Sequence, residues 1–166
     1  MSVFTSDLTI DGDYASLANQ ARALLAGESD RIANAANLAA LIFQAVPNLN
    51  WAGFYFVDPR GDPVVGPFQG RPACVRIAPG SGVCGTALVS GRTQRVADVH
   101  EFEGHIACDP ESRSEIVVPL KLDDRVIGVL DIDSPVAERF DERDQAAIEL
   151  LAGIYLESIR KPSDPG

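Results

Sequence analysis

Residues 115–133, EIVVPLKLDDRVIGVLDID, form the stretch that decides the fold of this chain. Two runs of mainly aliphatic and β-branched residues, 115–122 and 125–133, stand on either side of Asp123-Asp124. This pattern is typical of two antiparallel strands joined by a tight turn. We therefore predict a β-hairpin here and take it as the reference for the rest of the chain.

Around this hairpin, the sequence alternates between helical and β-type periodicity. The predicted helices lie at 14–25, 32–45, 83–90 and about 141–159, and the other predicted strands at 51–57, 64–68, 74–77 and 94–96. Asp30 is placed to cap the second helix, and Gly91 to end the third. The order of elements favours an α+β fold over alternating βαβ units: a central antiparallel sheet with the N- and C-terminal helices packed on one face.

Length and charge restrict the function classes. The 166 residues fit one domain, with a core of about 14–159 and a flexible tail at 161–166. The net charge of -10 repels phosphate backbones and anionic lipids, so we expect neither a nucleic acid nor a membrane partner. The N-terminus lacks the basic and apolar regions of a signal peptide, and no apolar run approaches the roughly 20 residues of a spanning helix. We expect a cytoplasmic protein.

The three cysteines, Cys74, Cys84 and Cys108, are the first candidates for chemistry. Thiols in a reducing compartment are packing residues, metal ligands or reactive nucleophiles. Cys108 follows His105 and precedes Arg113 in the loop, and nearby cations favour a thiolate. Thiols that can meet permit a cycle in which one is oxidised to a sulfenic acid and a second condenses with it to a disulfide.

Two other readings of the cysteines stay open. Cys84 lies at the start of the predicted helix 83–90, where backbone N–H groups would lower its pKa, but a cysteine in such a segment often only packs. A zinc site is the other alternative, weakened by the absence of a Cys-x-x-Cys pair. Its candidate ligands are Cys74, Cys84, His100, His105 and Cys108.

The acids of the hairpin form a second candidate set. Asp131 and Asp133 alternate with apolar residues and share one face of their strand, where paired anions invite a cation or a proton. A strict two-residue turn pairs Ile116 with Asp131 and puts Glu115 on the opposite face, whereas a bulge brings it round. The alternative is that these acids only mark a solvated strand end.

Trp51 and Tyr55 share a face of the strand 51–57 because an even number of residues separates them. Aromatic walls suit an apolar ligand group, and aromatic rings make favourable contacts with sulfur. Residues of this kind more often belong to the core, and both readings stand at this point.

Several blocks of the chain carry a specific resemblance. They are Trp51-Ala52-Gly53-Phe54-Tyr55, Gly80-Ser81-Gly82-Val83-Cys84-Gly85-Thr86, Val96-Ala97-Asp98-Val99-His100, Gly104-His105-Ile106-Ala107-Cys108-Asp109, Ser112-Arg113-Ser114-Glu115-Ile116-Val117-Val118-Pro119-Leu120 and Gly128-Val129-Leu130-Asp131-Ile132-Asp133-Ser134-Pro135. Over about 14–159 the chain resembles the free methionine-(R)-sulfoxide reductases. The resemblance implies a single GAF domain spanning 1–166.

The resemblance also implies a reaction and a role for each thiol. The substrate would be free L-methionine-(R)-S-oxide, with Cys108 as the nucleophile that attacks the sulfoxide sulfur. Cys74 would resolve the sulfenic acid as a Cys74–Cys108 disulfide, and Cys84 would be an auxiliary or alternative resolving thiol. Thioredoxin would be the external reductant, without a bound cofactor or metal, and the assembly would be a homodimer.

The same resemblance assigns the remaining candidates to substrate binding. Glu115, Asp131 and Asp133 would engage the ammonium group and the sulfoxide oxygen, and Trp51 and Tyr55 would surround the methyl-sulfur end. The competing hypothesis is a non-enzymatic GAF domain that senses a small molecule, because one fold serves many functions.

Overall fold

The computed structural model describes residues 14–105 and 108–160, so the predicted tail at 161–166 lies outside the described residues. Its helices are α1 (Tyr14–Leu25), α2 (Arg31–Ala45), α3 (Gly82–Ser90) and α4 (Glu142–Ile159). Its strands are β1 (Trp51–Val57), β2 (Pro63–Gly70), β3 (Gln94–Val96), β4 (Ser114–Leu122) and β5 (Arg125–Ser134). None of the helices in these ranges combines the length and the apolar character needed to cross a membrane.

The strands form one five-stranded antiparallel sheet in the order β2-β1-β5-β4-β3. The β4–β5 hairpin lies inside the sheet, with β1 on one side and β3 on the other. The predicted α+β class and the predicted hairpin are therefore confirmed.

The predicted helix ends are also found. The Asp30 carboxylate accepts hydrogen bonds from the backbone N–H groups of Ile32 and Ala33, at 3.0 and 2.8 Å, which begins α2. Gly91 ends α3 in the left-handed conformation with φ of 64°, where its missing Cβ removes the steric cost.

The two faces of the sheet carry different helices. The terminal helices α1, α2 and α4 build one core with the inner sheet residues Phe54, Ile116, Leu130 and Ile132, as predicted. Helix α3 packs on the opposite face, in a smaller apolar cluster that includes Trp51 and Tyr55. Grouping all helices on one face would leave this second face without cover.

A β-bulge resolves the register of the hairpin. Leu122 pairs with Arg125 as a two-residue turn requires, but the register shifts by one residue between Leu120 and Lys121. Beyond the shift, Glu115 lies opposite Asp133 rather than Ile132. Opposed residues point to the same face, so Glu115 joins the two aspartates.

The predicted strand at 74–77 is wrong. This segment makes a single bridge, Val64 to Arg76, and only two flanking backbone bonds, from Val65 N–H to the Val75 carbonyl and from Ile77 N–H to the Pro63 carbonyl. Its first residue is held away from a ladder because Cys74 bonds to the loop that carries Cys108. Residues 71–77 form an irregular strap across the sheet edge.

Candidate active site

A cleft opens between the second face of the sheet and the start of α3. Strand β1 contributes aromatic residues, β4 and β5 contribute acids, and the loop before β4 contributes Cys108. The main lining residues are Trp51, Tyr55, Arg71, Ser81, Gly82, Val83, Cys84, His105, Cys108, Asp109, Ser112, Glu115, Asp131 and Asp133. Most of the residues predicted to act together are thus gathered in one cleft.

Cys74 and Cys108 are joined by a disulfide, with their Cα atoms 5.5 Å apart. Both residues are partly exposed. The strap and the loop are also linked by charge, because the Arg71 guanidinium lies 3.1 Å from a Glu111 carboxylate oxygen and 3.9 Å from one of Asp109. Two separate contacts therefore hold the strap and the loop together.

The two groups expected to favour a Cys108 thiolate, His105 and Arg113, each have tertiary neighbours of their own. Burial and the neighbouring His100 lower the pKa of His105, so its imidazole is neutral at neutral pH. The Arg113 guanidinium lies 3.7 Å from the Asp98 carboxylate instead. Sequence distance does not reveal either of these neighbours, and stabilisation of a Cys108 thiolate stays a prediction.

Glu115, Asp131 and Asp133 form an acid cluster at the base of the cleft. Glu115 and Asp131 are only 7% and 5% exposed. Desolvation and mutual repulsion raise the pKa of all three carboxyls, that of Asp131 to about 8. The Oδ1 atom of Asp131 is buried and has no hydrogen-bond partner within residues 14–105 and 108–160. The cluster retains protons near neutral pH and has an unused acceptor.

Cys84 faces this cluster from the third position of α3. It is free, 5% exposed, and its thiol pKa is raised well above the usual value by burial and then by Asp131, Glu115 and Asp133. The expectation that the helix start lowers its pKa is therefore wrong, because desolvation and three acids outweigh the helix dipole. Its sulfur, with oxygens of Glu115 and Asp131, forms a set of cation-binding atoms within 4.8 Å.

Trp51 and Tyr55 stack with their ring centroids 5.8 Å apart and belong to the second apolar cluster. Each also donates a hydrogen bond to the strap: Trp51 Nε1 to the Arg71 carbonyl at 3.2 Å, and the Tyr55 hydroxyl to the Cys74 carbonyl at 3.0 Å. The two aromatic residues are therefore at once core, cleft wall and support for Cys74.

A polar clamp beside Cys108 was missed in the sequence. The Asn50 amide donates to the Asp109 carboxylate at 3.0 Å and to the Ser112 hydroxyl at 2.9 Å, which ties the loop to the start of β1. Asn50 carries no periodicity or spacing signal, since it lies more than fifty residues from its partners. Only its position immediately before the Trp51 block hinted at a role.

The geometry combines a disulfide-bonded sulfur pair, a proton-holding acid cluster and an aromatic wall. The alternative zinc set is not assembled in this form, because the sulfurs of Cys74 and Cys108 are bonded to each other. This combination suits a small molecule with an apolar group, a basic oxygen and a positive charge.

Comparisons with known proteins agree with the geometry. A family model described as the GAF domain matches residues 33–157. The free methionine-R-sulfoxide reductase of Escherichia coli is 48% identical over 91% of this chain and 90% of its own. Protein YtsP of Bacillus subtilis is 55% identical over 84% of this chain and 86% of its own. The X-ray structure of free methionine-R-sulfoxide reductase from Neisseria meningitidis, in complex with its substrate, has a TM-score of 0.85 at 46% identity and covers 88% of this chain and 87% of that one. The chain belongs to the free methionine-R-sulfoxide reductases, a family built on the GAF domain.

Proposed function

We propose that this enzyme reduces free L-methionine-(R)-S-oxide to L-methionine through Cys108, Cys74 and the acid cluster. The observation that carries the proposal is that one cleft contains Cys108 together with three carboxyls of raised pKa. The names of the relatives support the substrate, and the geometry supports the chemistry.

In the first step the reduced Cys108 sulfur attacks the sulfoxide sulfur. The S–O bond of the substrate breaks, the oxygen passes to Cys108, and the products are methionine and a sulfenic acid. The sulfoxide is reduced by two electrons and the thiol is oxidised by two. In the second step the Cys74 thiol attacks the sulfenic sulfur, which forms the Cys74–Cys108 disulfide and releases water. The Cα separation of 5.5 Å between the two residues supports this pairing.

The acid cluster supplies the proton that the first step needs. A sulfoxide oxygen departs poorly until it is protonated, and an ordinary carboxyl has lost its proton at pH 7. Asp131, with a pKa of about 8, and its neighbours Glu115 and Asp133 keep protons available. The positive ammonium group of the substrate stabilises one ionised carboxylate in the same cluster.

The aromatic wall completes the binding site. Trp51 and Tyr55 present apolar ring surface to the cleft, where the methyl-sulfur end of the substrate packs. Their hydrogen bonds to the strap couple this wall to the position of Cys74.

A dithiol must restore the two cysteines after each turnover. We propose thioredoxin in this role and a cytoplasmic location, where dithiols are kept reduced. The partial exposure of Cys74 and Cys108 supports access by a protein reductant. The cycle needs no bound cofactor, because the thiols carry the electrons. A homodimer, implied by the family, completes the proposal.

The proposal is tested with the R and S epimers of free methionine sulfoxide in an assay coupled to thioredoxin and its reductase. We expect turnover of the R epimer, little of the S epimer, and a Cys74–Cys108 bridge in peptide maps of the oxidised product. Tight binding of the R epimer without turnover would instead support a sensor function.

A further inference from the structure

Asn50 connects the nucleophile loop (108–112), which carries the proposed attacking sulfur, to strand β5. Its side-chain amide donates to the Asp109 carboxylate at 3.0 Å and to the Ser112 hydroxyl at 2.9 Å. Its backbone N–H donates to the Asp133 carbonyl at 3.0 Å. One residue therefore bonds to both sides of the cleft, to the nucleophile loop through its side chain and to the strand of the acid cluster through its backbone.

The side-chain bonds of Asn50 lie in a shielded place. The side chain of Asp109 is 10% exposed and Ser112 is 6% exposed. A hydrogen bond to an ionised group away from water is stronger than one between neutral groups at the surface. The Oδ1 atom of the same amide is buried and has no partner in the described part of the chain. The amide thus contacts the loop as a donor, and a side chain without N–H groups could not replace it.

The other side-chain link to this loop is more exposed. The Arg71 guanidinium, which contacts Glu111 and Asp109, is 60% exposed, and Glu111 is 57% exposed. Ion pairs of this kind contribute little, because water and salt screen them. In the reduced enzyme, without the disulfide, the bonds from Asn50 are the better-shielded of these two tethers.

We propose that Asn50 is a positioning residue, whose amide holds the Cys108 sulfur of the reduced enzyme within reach of both the acid cluster and Cys74. This inference rests on the proposed function and adds to it a residue that touches neither the substrate nor the reacting sulfur. The sulfur must meet the sulfoxide while the sulfoxide oxygen faces the carboxyls. Misplacement of a reacting group by about 1 Å can cost about 10²-fold in rate.

The equilibrium of the disulfide tests the inference without any substrate. Wild type and Asn50→Ala are equilibrated with mixtures of reduced and oxidised glutathione, and the Cys74–Cys108 bridge is quantified by thiol trapping. A tethered loop keeps the two thiols at a high effective concentration, whereas a freed loop loses more conformational entropy when the bond forms. We expect the equilibrium constant for bridge formation to fall about 5- to 30-fold in the variant.

Asn34→Ala is the matched control for the loss of two amide hydrogen bonds. The Asn34 amide also donates twice, to the Glu28 carbonyl at 2.9 Å and to the Ser158 hydroxyl at 3.0 Å, on the helical side of the sheet. Its replacement should lower thermal stability, as the loss of buried hydrogen bonds does elsewhere. It should leave the bridge equilibrium unchanged.

A single turnover of the pre-reduced enzyme, without thioredoxin, measures the first chemical step alone. In Asn50→Ala the rate of methionine formation at saturating R epimer should fall about 10- to 100-fold, and the half-saturating concentration should change less than about twofold. A purely structural loss would not give this separation, because it changes the amount of folded enzyme rather than the rate per folded molecule.

Reversal of the hydrogen-bond polarity tests the pair itself. Asn50→Asp keeps the size of the side chain but removes its N–H groups and sets a second carboxylate against that of Asp109. Like charges repel, so the single-turnover rate should fall at least as far as in Asn50→Ala. Addition of Asp109→Asn supplies the amide donor from the other side of the pair, and the rate should recover to within about tenfold of the wild type.

Three results would overturn the inference. They are equal losses of rate in Asn50→Ala and Asn34→Ala, a reversed pair as slow as Asn50→Asp alone, and an unchanged bridge equilibrium in Asn50→Ala. The last would do so even if the wild type reduces the R epimer. If the equilibrium shifts as expected but the wild type reduces neither epimer, the proposed function fails and the positioning of Cys108 against Cys74 stands.

Discussion

The two faces of β5 show how one strand serves both stability and chemistry. Leu130 and Ile132 are fully buried against the terminal helices, whereas Asp131 and Asp133, between and beyond them, line the cleft. The helical face gains free energy by removing apolar surface from water. On the cleft face, part of this stabilisation is offset by the free-energy cost of keeping carboxyls in a poorly solvated site. Substitutions on the two faces should therefore separate stability from turnover.

The largest effect is expected for Cys108→Ser. A serine hydroxyl at this position cannot accept the sulfoxide oxygen, so turnover should fall to the background of the coupled assay. Thermal stability under reducing conditions should change little, because Cys108 lies in a partly exposed loop. Full activity in this variant would refute the proposed chemistry.

Asp131→Asn should give the next largest loss. General acid catalysis contributes about 10²- to 10⁴-fold, and the amide has no acidic proton to donate. The kcat/KM for the R epimer measures this loss. The control is Asp124→Asn, the same replacement at the exposed turn of the same hairpin. Similar losses in both variants would contradict a specific role of the cluster.

Leu130→Ala should lower stability and leave activity intact, the opposite of what is expected for Asp131→Asn. Truncation of a fully buried leucine costs about 2 to 5 kcal/mol of unfolding free energy, because it removes apolar contacts and leaves a cavity. The activity per folded molecule should stay close to that of the wild type. Urea unfolding and initial rates at low temperature measure the two quantities. A loss of activity as large as that of Asp131→Asn would show that the two faces are not separable.

The pH dependence of stability should report on the buried carboxyls of the cleft face. Folding raises the pKa of Asp131 from its unfolded range to about 8, so the native state binds the proton more tightly. Its contribution to stability is therefore complete below the unfolded pKa and is lost as the pH rises through about 8. We expect the unfolding free energy to fall from pH 5 to pH 9 and activity to decline on the alkaline side. Asp131→Asn should flatten the stability profile; an unchanged profile would contradict this assignment.

The smallest effect is expected for Tyr55→Phe. The lost hydrogen bond to the Cys74 carbonyl should cost about 0.5 to 1.5 kcal/mol and slow formation of the Cys74–Cys108 disulfide. Tyr155→Phe removes a matching 3.0 Å bond to the Arg31 carbonyl on the helical face. It should cost similar stability without changing the rate of disulfide formation. Equal slowing in both variants would argue against support of Cys74 by Tyr55.

Local patterns predicted most of the fold because their causes are local. Asp30 caps α2 through its own backbone neighbours, and Gly91 ends α3 because a left-handed residue favours glycine. The segment 74–77 failed for the opposite reason. Its composition is β-like, but its conformation depends on a bond from Cys74 to a residue 34 positions away.

The sequence named the residues of the candidate site but predicted their arrangement and properties only in part. Alternation placed Asp131 and Asp133 together, whereas the position of Glu115 depended on a bulge that turn length alone does not determine. The pKa of Cys84 was predicted in the wrong direction, because its burial and its three acidic neighbours come from distant parts of the chain. No local pattern in the sequence predicts the hydrogen bonds from Asn50 to Asp109 and Ser112.

By itself, the sequence determined most of the element types, the antiparallel α+β class, the family and the identity of the thiols and acids. Hydrophobic period, capping residues and specific motifs encode these properties within short stretches. Only the tertiary structure decided that Glu115 faces Asp133, that α3 covers the second face, and that its first turn adjoins Asp131. The physical reason is that charge, desolvation and unsatisfied donors depend on distances in space, which the order of residues along a chain does not specify.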